Sequence, residues 1–227
     1  MAVISPGFTE ACVNNVRGAA LKPGFKIVGE TMDIQTREFF DRHAAKWDGY
    51  EKPEIVPIIN AVLDRIGVSQ EDEILDVGCG TGILAPHFEK RGVKRMSAMD
   101  IAPEMVKEYL RKFPGRKVIC GDYEEPEVFP PDFFTKIIIF NAFPHFDDRE
   151  KIFENSYRYL KPGGGLYIVH SMTRADLDRH HREAGAEVAD HMLYSNAGFK
   201  ELYSGAGFKD VEVDDNGPFF SKGSKPG

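Results

Sequence analysis

Cysteine is scarce in this chain of 227 residues: Cys12, Cys79 and Cys120 are odd in number and form no C-x-x-C pair. That excludes a disulfide framework and favours a reducing compartment. Long apolar runs are lacking as well. No stretch approaches the roughly 18 residues of a membrane span, and the apolar run at 137–140 is only strand-sized. The N-terminus has no basic segment followed by an apolar one, so no secretory signal is read and the expected localisation is cytoplasmic. Positive charge is in deficit: 29 Lys and Arg against 36 Asp and Glu leave a formal net charge of −7. Such a chain is poorly suited to grip a polyanionic backbone, so neither a nucleic-acid nor a membrane partner is expected. What remains is an ordinary globular composition, 42% hydrophobic and 29% charged. The length suits one domain, or one domain with a lid, and is enough to bury a full core.

Residues 1–31 carry scattered Gly and Pro and no sustained period, and read as a loose extension ahead of Met32. Residues 32–227 read as a single domain. Its first part, 32–67, forms a helical cap. One helix over 33–48 spaces Phe39, Phe40, His43, Ala44 and Trp47 at helical intervals. A second starts at Pro53, turns Ile55, Ile58, Ile59, Val62, Leu63 and Ile66 to one side, and stops at Gly67. From Glu73 the pattern becomes strand, turn and helix, repeated. Strands are predicted at 74–77, 94–99, 117–120, 136–141 and 166–171, with helices at 83–91, 103–113 and from Asp147 to Leu160. Asp147 and Glu150 resemble a capping box for the last helix, and Pro162 with three glycines would stop it. Three isoleucines in a row, 137–139, imply a strand buried on both faces. Residues 172–195 read as a polar lid, 196–205 as a helix, and the alternation around Val211 and Val213 as an antiparallel edge hairpin with Phe219 and Phe220. The expected fold is α/β: a doubly wound, Rossmann-like, seven-stranded sheet, mostly parallel with an antiparallel last strand.

The segment ILDVGCGTG, 74–82, stands after the first strand and before a helix, where such sheets bind ligands. Dinucleotides require G-x-G-x-x-G/A. Gly78 and Gly80 fit, but the third position is Ile83, which disfavours an NAD-dependent oxidoreductase. The observed spacing is G-x-G-x-G behind Asp76, and an acid there suits a ligand with a cationic amino-acid end. Asp100 ends the second strand, where a carboxylate can accept from two ribose hydroxyls. Asp122 and Tyr123 follow the third and could meet the edge and face of an adenine.

These residues resemble the class I S-adenosyl-L-methionine (SAM)-dependent methyltransferases, especially the branch that includes the ubiquinone/menaquinone-biosynthesis enzymes. The resemblance covers roughly 35–215. It rests on ILDVGCGTG (74–82), MDIAPEM (99–105), GDYEE (121–125), IIIFNAFPHF (137–146), YLKPGGGLYIVHS (159–171) and AGFKDVEV (206–213), in that order. FFDRHAAKWDGY (39–50) resembles the cap that covers the cofactor in these enzymes. The resemblance implies SAM as cofactor. Gly78, Gly80 and Gly82 would hold its methionine part, with Asp76 near the ammonium and Asn141 offering a further contact. Asp100 would bind the ribose, Ile101 would pack on the adenine, and Asp122 would meet its amino group with Tyr123 beside it.

Methyl transfer from a sulfonium is an in-line displacement that needs alignment and exclusion of water. His145, past the fourth strand, is the candidate base; the plainer alternative is a loop histidine that only shapes the pocket. Phe40, Trp47, Tyr50, Phe143 and His170 are the candidate acceptor pocket, although aromatics at helical spacing are usually core and Trp47 reads equally as a helix anchor. His170, His180, His181 and His191 converge on one mouth but lack ligand spacing, so no metal site is expected. Cys79 is a small residue in a tight turn rather than a nucleophile. The expected activity is methyl transfer to a small-molecule acceptor by a monomer or homodimer. The alternatives are a protein methyltransferase and a SAM-binding module without catalysis.

Overall fold

The computed structural model describes residues 30–50, 53–184 and 192–227, without the side chains of 30–35, 180, 181, 183 and 184. The cap consists of α1 (Glu30–His43), a 3-10 turn (Ala44–Tyr50) and α2 (Ile55–Ile66). The apolar face of α2 buries Ile59, Val62, Leu63 and Ile66. Its stop is Gly67, left-handed at φ 69°, whose N–H donates to the Asp64 carbonyl.

Then follow β1 (Glu73–Val77), α3 (Ala85–Lys90), β2 (Arg95–Asp100), α4 (Pro103–Lys112), β3 (Val118–Cys120), β4 (Phe134–Phe140), α5 (Arg149–Tyr159), β5 (Leu160–Val169), α6 (Arg174–Ala184), α7 (Asn196–Gly205), β6 (Lys209–Asp214) and β7 (Phe220–Ser224). The seven strands form one sheet in the order β3-β2-β1-β4-β5-β7-β6. β1 to β5 run parallel, and β7 is antiparallel to both β5 and β6. Parallel strands need both faces covered, and each face has its own core. Leu75, Val77, Ile137, Ile139, Leu166 and Ile168 pack with α5 and α7. Ile74, Ala98 and Ile138 pack with α2 and α3 on the other side.

The register sets the site. Val77 pairs with Met99 and Ile139, Asp100 with Cys120, and Phe140 with Val169. The ends of five strands therefore come level, and their loops open on one edge. β1 and β4 flank the point where the strand order reverses, the usual ligand crevice of such sheets.

Local differences from the sequence expectation have physical reasons. The helix that carries Trp47 tightens into a 3-10 turn after His43. Asp148, not Asp147, caps α5: its side chain accepts the N–H of Lys151 at 3.2 Å, while Glu124 accepts the N–H groups of both Asp147 and Asp148. Pro162 and the glycines do not separate helix from strand; β5 begins at Leu160. The pairing jumps from Phe134–Leu160 to Lys136–Gly165, and Pro162 falls inside that bulge, where no ladder N–H is required. A side chain at Gly164 would stand 2.9 Å from the Thr135 carbonyl, so the glycines let β5 close on β4.

Candidate functional site

The loop after β1 is fixed by its backbone. Gly78 has φ 68°, and a Cβ there would lie 2.4 Å from the Ala142 Cβ. Gly82 has φ 96°, and a Cβ would meet the Tyr109 and Phe113 rings at 2.8 Å. Neither position can take another residue unless its neighbours move. The N–H groups of Gly78 and Cys79 both donate to the Met99 carbonyl, at 2.8 and 3.0 Å. That ties the loop to β2.

Two acids lie beneath it. Asp100 is buried; Oδ2 accepts the Gly80 N–H at 2.7 Å and Oδ1 accepts the Ala102 N–H at 2.9 Å. Burial pushes its carboxyl up to about 6, against the pull of those two amides and with added repulsion from Asp41. Each oxygen keeps a second lone pair, so hydroxyl donors can still be accepted. Asp76 is buried more deeply. Burial, aided by the charge of Asp100, pushes it up to about 8, and its Oδ2 has no hydrogen-bond partner among the described residues. An orphaned buried carboxyl oxygen is costly unless a donor or cation meets it. Burial likewise holds the Cys79 thiol neutral, consistent with a turn residue rather than a nucleophile.

The cap is latched over this loop. Asp41 accepts the Glu104 N–H at 2.9 Å and so caps α4, whose own N-cap is Ala102 and offers no side-chain acceptor. Asp48 accepts the Thr81 hydroxyl and pairs with Lys112 at 2.8 Å. Ala44, Phe40 and Trp47 pack on Ala102 and Met105. The indole Nε1 of Trp47 lies 3.8 Å from the point that a Gly80 side chain would occupy. Phe40 bridges Trp47 and His145, with ring centroids at 5.3 and 5.1 Å. An unbroken line of contacts thus runs from the glycine loop through the cap to His145.

The other predicted positions divide. Ile101 is half-buried directly after Asp100. Asp122 is half-buried, and its Oδ1 accepts the Glu124 N–H at 2.8 Å. Asn141 has φ 56°, and its side chain exchanges hydrogen bonds with Ser171 at 2.7 and 3.0 Å, which joins the ends of β4 and β5. Tyr50 is 60% exposed at the rim, next to Trp47. His170 is buried at the end of β5. Two expectations need correction. Tyr123 is not placed to face an adenine: its ring packs on Tyr159 within the core and its hydroxyl meets Ser156 at 3.0 Å. Phe143 is not a pocket wall: it is fully buried against Phe153 and Phe199. Both are large rings with an apolar interior within reach, and burial outweighs display.

No group of three or more metal-ligating side chains occurs among the described residues. The side chains of His180 and His181, and all of His191, lie outside that description, as do most of the predicted extension and the tip of the predicted lid. Among the described residues no helix is long and apolar enough to cross a membrane. Asp41, Asp48, Thr81, Glu124 and Arg149 were not anticipated. Only Asp41 had a signal, the poor cap at Ala102.

Residues 75–168 match the methyltransferase-domain family. An uncharacterised methyltransferase, YdaC, of Bacillus subtilis is 28% identical over 145 residues, 62% of this chain and 78% of that protein. The demethylmenaquinone methyltransferase of Chlorobaculum tepidum is 31% identical over 45% of this chain, which spans 42% of that enzyme. Residues 75–168 thus match a methyltransferase domain, and the curated relatives that the chain resembles are methyltransferases. The methyltransferase fold also superposes on phosphoethanolamine N-methyltransferase 2 of Haemonchus contortus, solved with phosphomonomethylethanolamine and S-adenosylhomocysteine, at TM-score 0.70 and 20% identity, covering 91% of this chain and 62% of that one.

Proposed function

We propose that this methyltransferase moves the methyl group of SAM to a small-molecule acceptor seated between the cap and the loop after β4. The observation that carries the reading is Asp76. Its buried, partnerless oxygen lies below a loop of three glycines, where a cationic amino-acid end would satisfy it. A dinucleotide pyrophosphate would do the opposite and add negative charge to an already costly site. In this reading Gly78, Gly80 and Gly82 leave room for the methionine part. Asp100 takes the ribose hydroxyls, Ile101 packs on the adenine and Asp122 meets its amino group.

Bound SAM supplies an electrophilic methyl group on a sulfonium. The protein supplies alignment and dryness. The cap, held by Asp41 and Asp48, covers the loop and excludes water, and positioning of this kind contributes about 7–11 kcal/mol in well-oriented reactions. Phe40, Trp47 and Tyr50 form the apolar wall of the acceptor side, with His170 at its floor. His145 is the candidate base that takes the acceptor's proton. The relatives act on different acceptors: the Chlorobaculum protein is named for demethylmenaquinone, and the Haemonchus one for phosphoethanolamine. The test is a screen of phenols, quinols, carboxylic acids and amines, scored by release of S-adenosylhomocysteine. Turnover with one of these classes is expected. SAM binding without turnover on any of them, but with turnover on protein acceptors, would replace the small-molecule reading.

A further inference from the structure

The segment that carries His145 is gripped through its backbone by two charged side chains. On one side Arg149 donates to the carbonyls of Pro144 at 2.8 Å and Phe146 at 3.2 Å, which bracket His145. Its third bond, at 2.9 Å, goes to the carbonyl of Met192, where the chain returns toward α7. The guanidinium lies 5.7 Å over the Phe143 ring and 5.0 Å over the Tyr194 ring. On the other side the Glu124 carboxylate accepts the N–H groups of Asp147 and Asp148, both at 2.8 Å.

The donor geometry makes Arg149 the central member. One planar guanidinium spans two carbonyls of the His145 turn and one of a segment 43 residues further on. A lysine has one ammonium and no fork, and cannot hold all three. The group is also costly to bury, so three donated hydrogen bonds and two ring faces are what keep it there. None of these bonds involves the glycine loop or the acids beneath it.

We propose that Arg149 is a positioning residue for methyl transfer: it fixes His145 against Phe40 at the acceptor side and joins that turn to the returning segment at Met192. The effect on turnover rests on the methyl-transfer reading above; the placement of His145 does not. Replacement should leave the cofactor side alone and loosen the acceptor side. Arg149→Gln should lower kcat roughly ten- to hundredfold, the scale expected when a reacting group is misplaced by about 1 Å. SAM affinity should stay within about twofold, because no cofactor-side contact is touched. Arg149→Lys, which keeps the charge, should recover only part of the loss.

Both variants can be followed by NMR without any acceptor. The His145 ring signals and the 143–146 amide signals should shift in both variants, and the 78–82 amide signals should not. If Arg149→Gln does not fold, Arg149→Lys carries the same test. Unmoved His145 signals overturn the proposal, as does SAM affinity falling in step with turnover. Should the wild-type protein turn over no acceptor, the methyl-transfer reading fails while the His145 signals still decide the placement.

Discussion

The glycine loop and the segment after β4 leave the same edge of the sheet, but they are held in different ways. The loop is held by its own left-handed glycines and by the end of one adjoining strand, through amides that return to the Met99 carbonyl and the Asp100 carboxyl. The β4–α5 segment is held from far along the chain. Phe40, Glu124 and Met192 fix it from three separate elements, through a ring face and main-chain hydrogen bonds. A cofactor site whose geometry is local can be shared across a family. An acceptor site whose geometry depends on distant contacts can differ from member to member without disturbing the cofactor.

The contrast can be broken experimentally. The largest effect belongs to the acceptor side: His145→Ala should reduce turnover by roughly 10²–10⁴-fold, as loss of a general base does, with SAM affinity unchanged in calorimetry. Turnover equal to wild type would leave His145 as a wall of the pocket. On the cofactor side, Gly78→Ala places a Cβ 2.4 Å from that of Ala142 at a left-handed φ. It should cost about 3 kcal/mol in denaturant unfolding, strain and overpacking together. A neutral result would mean that Ala142 moves freely, and that the loop is less fixed than its dihedrals indicate.

A smaller effect tests Asp76 through pH. Its carboxyl is raised from 3.8 to about 8 in the fold, so the ligand-free protein loses stability as pH rises across that window. Asp76→Asn removes the loss. Its melting temperature relative to wild type should climb from pH 4 to pH 8 and then level off. Saturating SAM should reverse the order, because the variant no longer offers a charge to the ammonium. A gain that does not vary with pH would place the ionised Asp76 in a solvated site.

The same contrast explains what could be read from the sequence. The sheet was legible because alternating strands and helices leave few topologies, and Ile137, Ile138 and Ile139 mark a strand covered on both faces. The glycine spacing and the acids at the strand ends were legible because each is a local signal. Tyr123 and Phe143 misled because each stands just past the end of a strand while its side chain turns inward, which only the packing of α5 and α7 decides. The roles of Arg149 and Glu124 could not be read: both bind backbone atoms, which leave no trace in residue type, and Met192 and Asp147 lie 43 and 23 residues from them.

In the proposed site, SAM sits on the loop after β1 with its ribose on Asp100. Calorimetry of the wild type and of Asp100→Ala, at the same pH and salt, tests it most directly. One site per chain is expected in the wild type and a roughly 30- to 100-fold weaker Kd in the folded variant, the worth of hydrogen bonds to a charged group. Equal Kd values in the two proteins would contradict it.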